Sequence, residues 1–184
     1  ASAGVMAFAG EGPTLLRPTR SVKFIPGVCT HLGGDRFTPA TLEMLKQSAA
    51  MSVRDEIGWI GVERKQGEMS VPPTHDLYFN TTLAAGLDPL LILNYGNPFY
   101  DKGDSPRTDE GRAAFVRYAE FMVNHFKDRL YLYEFWNEWD IAIGGTTPGT
   151  ADNYVALLKL VYPAIKKIDP DILLMAGATT PMAI

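Results

Sequence analysis

Between residues 22 and 178 the chain alternates short apolar runs with longer segments whose apolar residues recur at helical spacing. The short runs read as strands and the longer segments as amphipathic helices. Val22 to Thr30, Ser52 to Ile57, Pro89 to Asn94, Leu130 to Trp136 and Ile172 to Ala176 give five strands. Thr38 caps a first helix with Pro39 at its opening position, and Leu42, Leu45 and Ala49 keep its apolar face. A second helix runs near His75 to Ala85 and stops at Gly86. Asp109 and Glu110 open a third, in which Phe115, Tyr118, Met122 and Phe126 recur as a core stripe. Thr150 caps a fourth, with Tyr154, Leu157, Leu158, Val161, Ile165 and Ile168 largely on one face.

Strands alternating with helices, and mostly apolar enough to be covered on both faces, predict a parallel α/β fold. Gly33-Gly34-Asp35 after the first strand lacks the three-glycine spacing of a dinucleotide site, which argues against a doubly wound sheet. An eight-stranded barrel fits better. His31, Arg54, Tyr95 and the pair Asn137-Glu138 fall at or near C-terminal strand ends, where barrel enzymes carry their chemistry. A full barrel takes ~250 residues, and this chain has 184. The expectation is therefore a (β/α)8 TIM barrel of which residues 21–184 supply roughly the first five strands, after a Gly-, Ala- and Pro-rich lead-in at residues 1–20.

Composition narrows the partners. The chain is 46% hydrophobic and 21% charged with a net charge of −4, and it has no basic stripe for nucleic acid. No apolar run approaches the ~20 residues that span a bilayer. Cys29 is the single cysteine, which excludes an internal disulfide, and it reads as a small buried residue. His31, His75 and His125 have no ligand spacing, so neither a metal nor a cofactor is expected. The small residues Ala1-Ser2-Ala3-Gly4 resemble the mature end left by signal-peptide cleavage, so the expectation is a periplasmic or secreted protein.

The fourth strand carries the chemistry. At period two, Leu132, Glu134, Trp136 and Glu138 share one face, while Tyr133, Phe135 and Asn137 share the other. A carboxylate where an apolar strand surfaces is suited to general acid work. Arg54 and Glu56 lie within the second strand, where charges are costly unless paired or lining a site.

Trp136-Asn137-Glu138 after an aliphatic-aromatic strand resembles the fourth strand of glycoside hydrolase clan A, a clan of eight-stranded barrels. Trp59-Ile60-Gly61-Val62-Glu63 with Gly67, and Ala84-Ala85-Gly86-Leu87 leading into Leu90-Leu91-Ile92-Leu93, resemble its second and third units. Trp139-Asp140 and Tyr95-Gly96-Asn97-Pro98 are most similar to family 39-related bacterial hydrolases that cut exopolysaccharide. Trp139 stands where many clan members have proline.

The resemblance implies a retaining β-glycoside hydrolase acting on a polysaccharide or oligosaccharide. Glu138 would be its general acid/base, and Asn137 would bind the sugar 2-hydroxyl. Arg54 would support the carboxylates, and His31 would contact sugar. Trp59, Tyr100 and Trp139 are candidate platforms for sugar rings, or else barrel packing. The nucleophile would lie ~5 Å from the acid/base, on a seventh strand that these residues do not include. Glu134 shares the face of Glu138 but lies four residues deeper, ~13 Å at strand rise, and does not fill that role. The implied partner is the remaining C-terminal part of the barrel, carrying the nucleophile. The alternative is a carbohydrate-binding barrel fragment without catalysis.

Overall fold

The computed structural model describes residues 25–143 and 145–181. The expected lead-in and the expected start of the first strand at Val22 lie outside the described residues. Five strands form one sheet: β1 (Gly27–Cys29), β2 (Ser52–Glu56), β3 (Asp88–Leu93), β4 (Leu132–Asn137) and β5 (Leu173–Ala178). Between them run α1 (Pro39–Gln47), α2 (Trp59–Val62), α3 (Pro73–Ala84), α4 (Asp109–His125) and α5 (Ala151–Ile168). Short 3-10 turns occupy Gly34–Arg36 and Asp101–Gly103.

All pairings are parallel, and the strand order β1-β2-β3-β4-β5 follows the chain. A doubly wound sheet reverses its direction of growth at a switch point. Here each strand adds to the same edge, so crossovers of one hand stack the helices on one face. This is the arc of a barrel.

The helices form where capping chemistry places them. Thr38, Thr108 and Thr150 each accept a backbone N–H in the first turn of α1, α4 and α5. Gly86 ends α3 with φ of +79°, a conformation that glycine adopts without penalty. Ala49, expected on the apolar face of α1, instead lies beyond the helix with φ of 58°. The segment from Trp59 forms the four-residue α2, too short to show a period.

On the helix-covered face, Val53, Leu91, Leu93, Tyr133 and Phe135 are fully buried. Trp59 stacks on Tyr100 at 5.0 Å and meets Phe115 edge-on at 5.5 Å, while Phe115 also meets Phe135 at 6.1 Å. Buried beside them, Glu63 accepts hydrogen bonds from Trp59 Nε1 (2.6 Å), Gly67 N (2.7 Å) and Tyr100 Oη (2.8 Å). Its charge is thereby satisfied within the core.

The opposite face carries two rows of laterally paired residues. Cys29, Arg54, Leu90, Leu132 and Leu173 form one; Glu56, Ile92, Glu134 and Met175 form the next towards the C-terminal ends. Layers of this kind fill the interior of a closed barrel. This face is apolar along β3 and β5, and its charged residues Arg54 and Glu134 pair with one another. Cys29 is corrected: its side chain is exposed and accepts from Arg54 Nη1 at 3.2 Å.

One further correction matters for the site. Strict period two puts Asn137 on the helix-covered side and Trp136 with Glu134. The structure exchanges them, because Trp136 has φ of 69° and reverses the alternation. The Trp136 ring packs on Phe115 (5.5 Å) and Trp139 (4.7 Å), and Asn137 turns to the face of Glu134 and Arg54. The kink needs Gly177 on β5, where a Cβ would stand 2.3 Å from the Trp136 carbonyl oxygen.

Candidate active site

The C-terminal ends of β1 to β4 converge on one polar cluster. At its centre Arg54 donates Nε to Glu134 Oε2 (2.6 Å), and Nη2 to both Glu134 Oε1 and Asn137 Oδ1 (2.8 Å each). Two parallel N–H bonds to one carboxylate fix a guanidinium in plane as well as in position. Its hydrogen bond to Glu134 raises the Arg54 pKa further above its ordinary value, against the opposing effect of burial. The pair sets the orientation of Asn137: with Oδ1 facing Arg54, Nδ2 must point away. That amide nitrogen donates to Tyr95 Oη at 3.3 Å and keeps a second N–H for a ligand.

Glu138 follows at the strand end, half-buried, with φ of 52°. Its backbone is held on both sides. Glu138 N donates to Ala178 O of β5 at 2.8 Å, and Ile141 N donates to Glu138 O at 3.2 Å. Trp139 Nε1 donates to Thr150 O at 2.8 Å, and the Asp140 carboxylate accepts from Thr180 N at 2.8 Å and from Thr180 Oγ1. Among the described residues the Glu138 carboxylate itself has no hydrogen-bond partner. A rigid backbone thus presents a carboxyl group without an internal partner, able to give up or take a proton.

Around this pair stand further polar residues. Glu56, at the end of β2, accepts from the buried Asn94 Nδ2 at 2.6 Å. Burial first, and the Glu56 and Glu138 charges after it, push the Tyr95 phenol above its ordinary pKa; the Asn137 hydrogen bond opposes them. Among the non-glycine residues with φ in the left-handed region, Tyr95 (63°), Trp136 (69°) and Glu138 (52°) are all in this cluster. Such backbone persists where surrounding structure over-determines it, often at functional sites.

Of the residues expected at the site, the structure brings together Arg54, Asn137, Glu138 and His31. The His31 side chain is exposed, with Nδ1 3.7 Å from Glu56 Oε1. Its loop is pinned by the buried Asp55 carboxylate, which accepts from Thr30 Oγ1 (2.8 Å), Leu32 N (2.8 Å) and Gly33 N (3.2 Å).

The aromatic platforms are a correction. Trp59 is fully buried, and Tyr100 and Trp139 are 6% and 5% exposed. Trp59 and Tyr100 stack on each other, and Trp139 wedges between Trp136 and Tyr154. None offers an open ring face, so barrel packing is their role. In the sequence, Tyr95 and Glu56 stand out by position without a role, and Glu134 and Asn94 are given none at the site. The signal for these last two was a carboxylate or amide interrupting an apolar strand.

A singly wound parallel arc with an Asn-Glu pair at the rim of its fourth strand defines a partial (β/α)8 barrel with a carboxylate site. No family model matches the chain, and no curated protein matches it in sequence. Solved structures do. A family 39 glycoside hydrolase from the gut symbiont Bacteroides cellulosilyticus WH2 is 26% identical, with a TM-score of 0.70 over 82% of this chain and 30% of that one. Endoglucanase Cel5A from Thermotoga maritima is 18% identical, with a TM-score of 0.64 over 84% and 52% of the two chains. A psychrophilic family 10 endo-β-1,4-xylanase is 20% identical, with a TM-score of 0.59 over 82% and 52%. The last two establish the fold alone. These structural neighbours are glycoside hydrolases of clan A. The chain spans between 30% and 52% of the length of these three.

Proposed function

We propose that the chain is the acid/base half of a retaining β-glycoside hydrolase that acts on a polysaccharide or oligosaccharide. The observation that carries this reading is the fixed Asn137 amide beside Glu138, oriented by the Arg54–Glu134 pair. Glu138 protonates the glycosidic oxygen as the bond breaks, and as a carboxylate it then takes a proton from the attacking water. Asn137 donates its remaining N–H to the sugar 2-hydroxyl, a bond that strengthens as positive charge develops at the anomeric carbon. The nucleophilic carboxylate belongs to the rest of the barrel. An assignment to family 39 draws support from its 26% identical neighbour. An exopolysaccharide substrate outside the cytoplasm accords with the sequence expectation.

The test uses the intact protein. Incubation with activated 2-deoxy-2-fluoro β-glycosides, followed by mass measurement, is expected to show one covalently bound sugar. Glu138→Ala should lose hydrolysis of poor leaving groups and recover turnover of an activated aryl glycoside when azide is added. Binding of polysaccharide with no label and no release of reducing ends would replace this reading with a non-catalytic carbohydrate-binding barrel.

A further inference from the structure

We infer that Tyr95 is a positioning residue that fixes the Asn137 amide for its contact with the substrate. The inference rests on the hydrolase reading above and extends it to residues outside the Asn-Glu pair. Arg54 Nη2 holds one end of the amide at Oδ1, and the plane could still swing about that contact. Tyr95 Oη holds the other end by accepting from Nδ2 at 3.3 Å. With both ends held, the second Nδ2 hydrogen has one direction left.

An acceptor hydroxyl must send its own proton elsewhere. The Glu56 carboxylate, whose Oε2 takes Asn94 Nδ2 at 2.6 Å, acts on the Tyr95 hydroxyl through its charge. Donation therefore runs in one sense, from Arg54 to Asn137 to Tyr95. Bonds chained in this way polarise one another and resist rotation of any member.

The backbone supports the same reading. Tyr95 follows β3 in the left-handed region, with φ of 63°, where a residue with a side chain is seldom found. Its ring meets Trp136 edge-on at 6.4 Å, and Trp136 is the residue whose own kink turns Asn137 into the site. The two unusual conformations thus face each other across the β3–β4 boundary, one delivering the amide and the other its clamp.

A residue that acts through Asn137 must lose its effect when Asn137 or its target is absent. Tyr95→Phe keeps the ring and its contact with Trp136 and removes only the hydroxyl. On 4-nitrophenyl β-glycosides bearing a 2-hydroxyl we expect kcat to fall about tenfold, the scale of one hydrogen bond, with KM little changed. On the 2-deoxy counterparts, and in an Asn137→Ala background, the same substitution should change kcat less than about twofold. Equal losses on both substrates would overturn the inference, as would losses that simply add to those of Asn137→Ala.

A second measurement does not depend on turnover. The Asn137 side-chain NH2 pair, assigned in a 15N spectrum by its loss in Asn137→Ala, should shift on Tyr95→Phe. If it stays in place the clamp is absent, whatever the activity. If it shifts while the intact wild-type protein cleaves none of the glycosides or polysaccharides offered, the hydrolase reading fails and the clamp stands.

Discussion

Replacing Glu134 by glutamine separates what the Arg54–Glu134 pair contributes from what either residue contributes alone. The Glu134 side chain is 3% exposed and that of Arg54 is 24% exposed. Glutamine keeps one oxygen that can accept from Arg54 and exchanges the other for an amide facing a donor. One charge-assisted bond is lost, about 1.5–3 kcal/mol, and a largely buried cation is left without its counterion, which costs about 3–5 kcal/mol when burial is complete. Water reaches part of the guanidinium and recovers some of that, so Glu134→Gln should cost about 2–4 kcal/mol. Arg54→Met should cost a similar amount by stranding the carboxylate. The double substitution Arg54→Met with Glu134→Leu removes both charges, and it should fall short of the sum of the single losses by about 2 kcal/mol. Urea denaturation of the intact protein measures this, provided the m-value is constant across the series. Single losses that add to within about 0.5 kcal/mol would refute the reasoning, because they would show the two side chains to be energetically independent.

Two more outcomes follow from particular contacts. Gly177→Ala places a methyl group against the Trp136 and Phe135 carbonyl oxygens, at 2.3 and 2.4 Å before relaxation. It should destabilise by about 1–3 kcal/mol and move Asn137; an unchanged unfolding midpoint would show that the kink tolerates a side chain. Burial pushes the Asp76 carboxyl up, but the hydrogen bonds of His125 and Arg129 outweigh it and hold its pKa below the ordinary value. A depressed folded pKa gives stability that is complete above the unfolded value and lost as pH falls through the folded one. Asp76→Asn should therefore flatten the loss of stability below about pH 4; parallel acid limbs would count against the pairing.

How much of this was legible in the sequence varies with the distance over which each feature is determined. Thr38 with Pro39, and Thr150 before its apolar stripe, announce helix starts through bonds made within one turn. The Asn137-Glu138 pair was visible because it interrupts an aromatic strand. The partner of Arg54 was not, since Glu134 stands 80 residues away and strand order decides whether they meet. The exchange of faces at Asn137 was hidden for a different reason: alternation assumes extended backbone, and the sign of φ at Trp136 is set by packing against Phe115, Trp139 and the Gly177 backbone. Trp59, Tyr100 and Trp139 were ambiguous in principle, because an aromatic residue at a strand end serves a sugar or a core equally well until its neighbours are known.

Strand order that follows chain order also has a kinetic meaning. Each strand pairs with the one before it, so every pairing of the sheet joins adjacent units and closes less chain than a pairing that skips a strand. The Arg54–Glu134 bridge skips a strand and spans 80 residues. It can close only once β3 and β4 have docked on β2. Glu138 waits longer still, for its amide is bonded to Ala178 of β5. The proton donor of the proposed reaction thus takes its place only once β5 has paired with β4, and a sheet without β5 leaves it unformed.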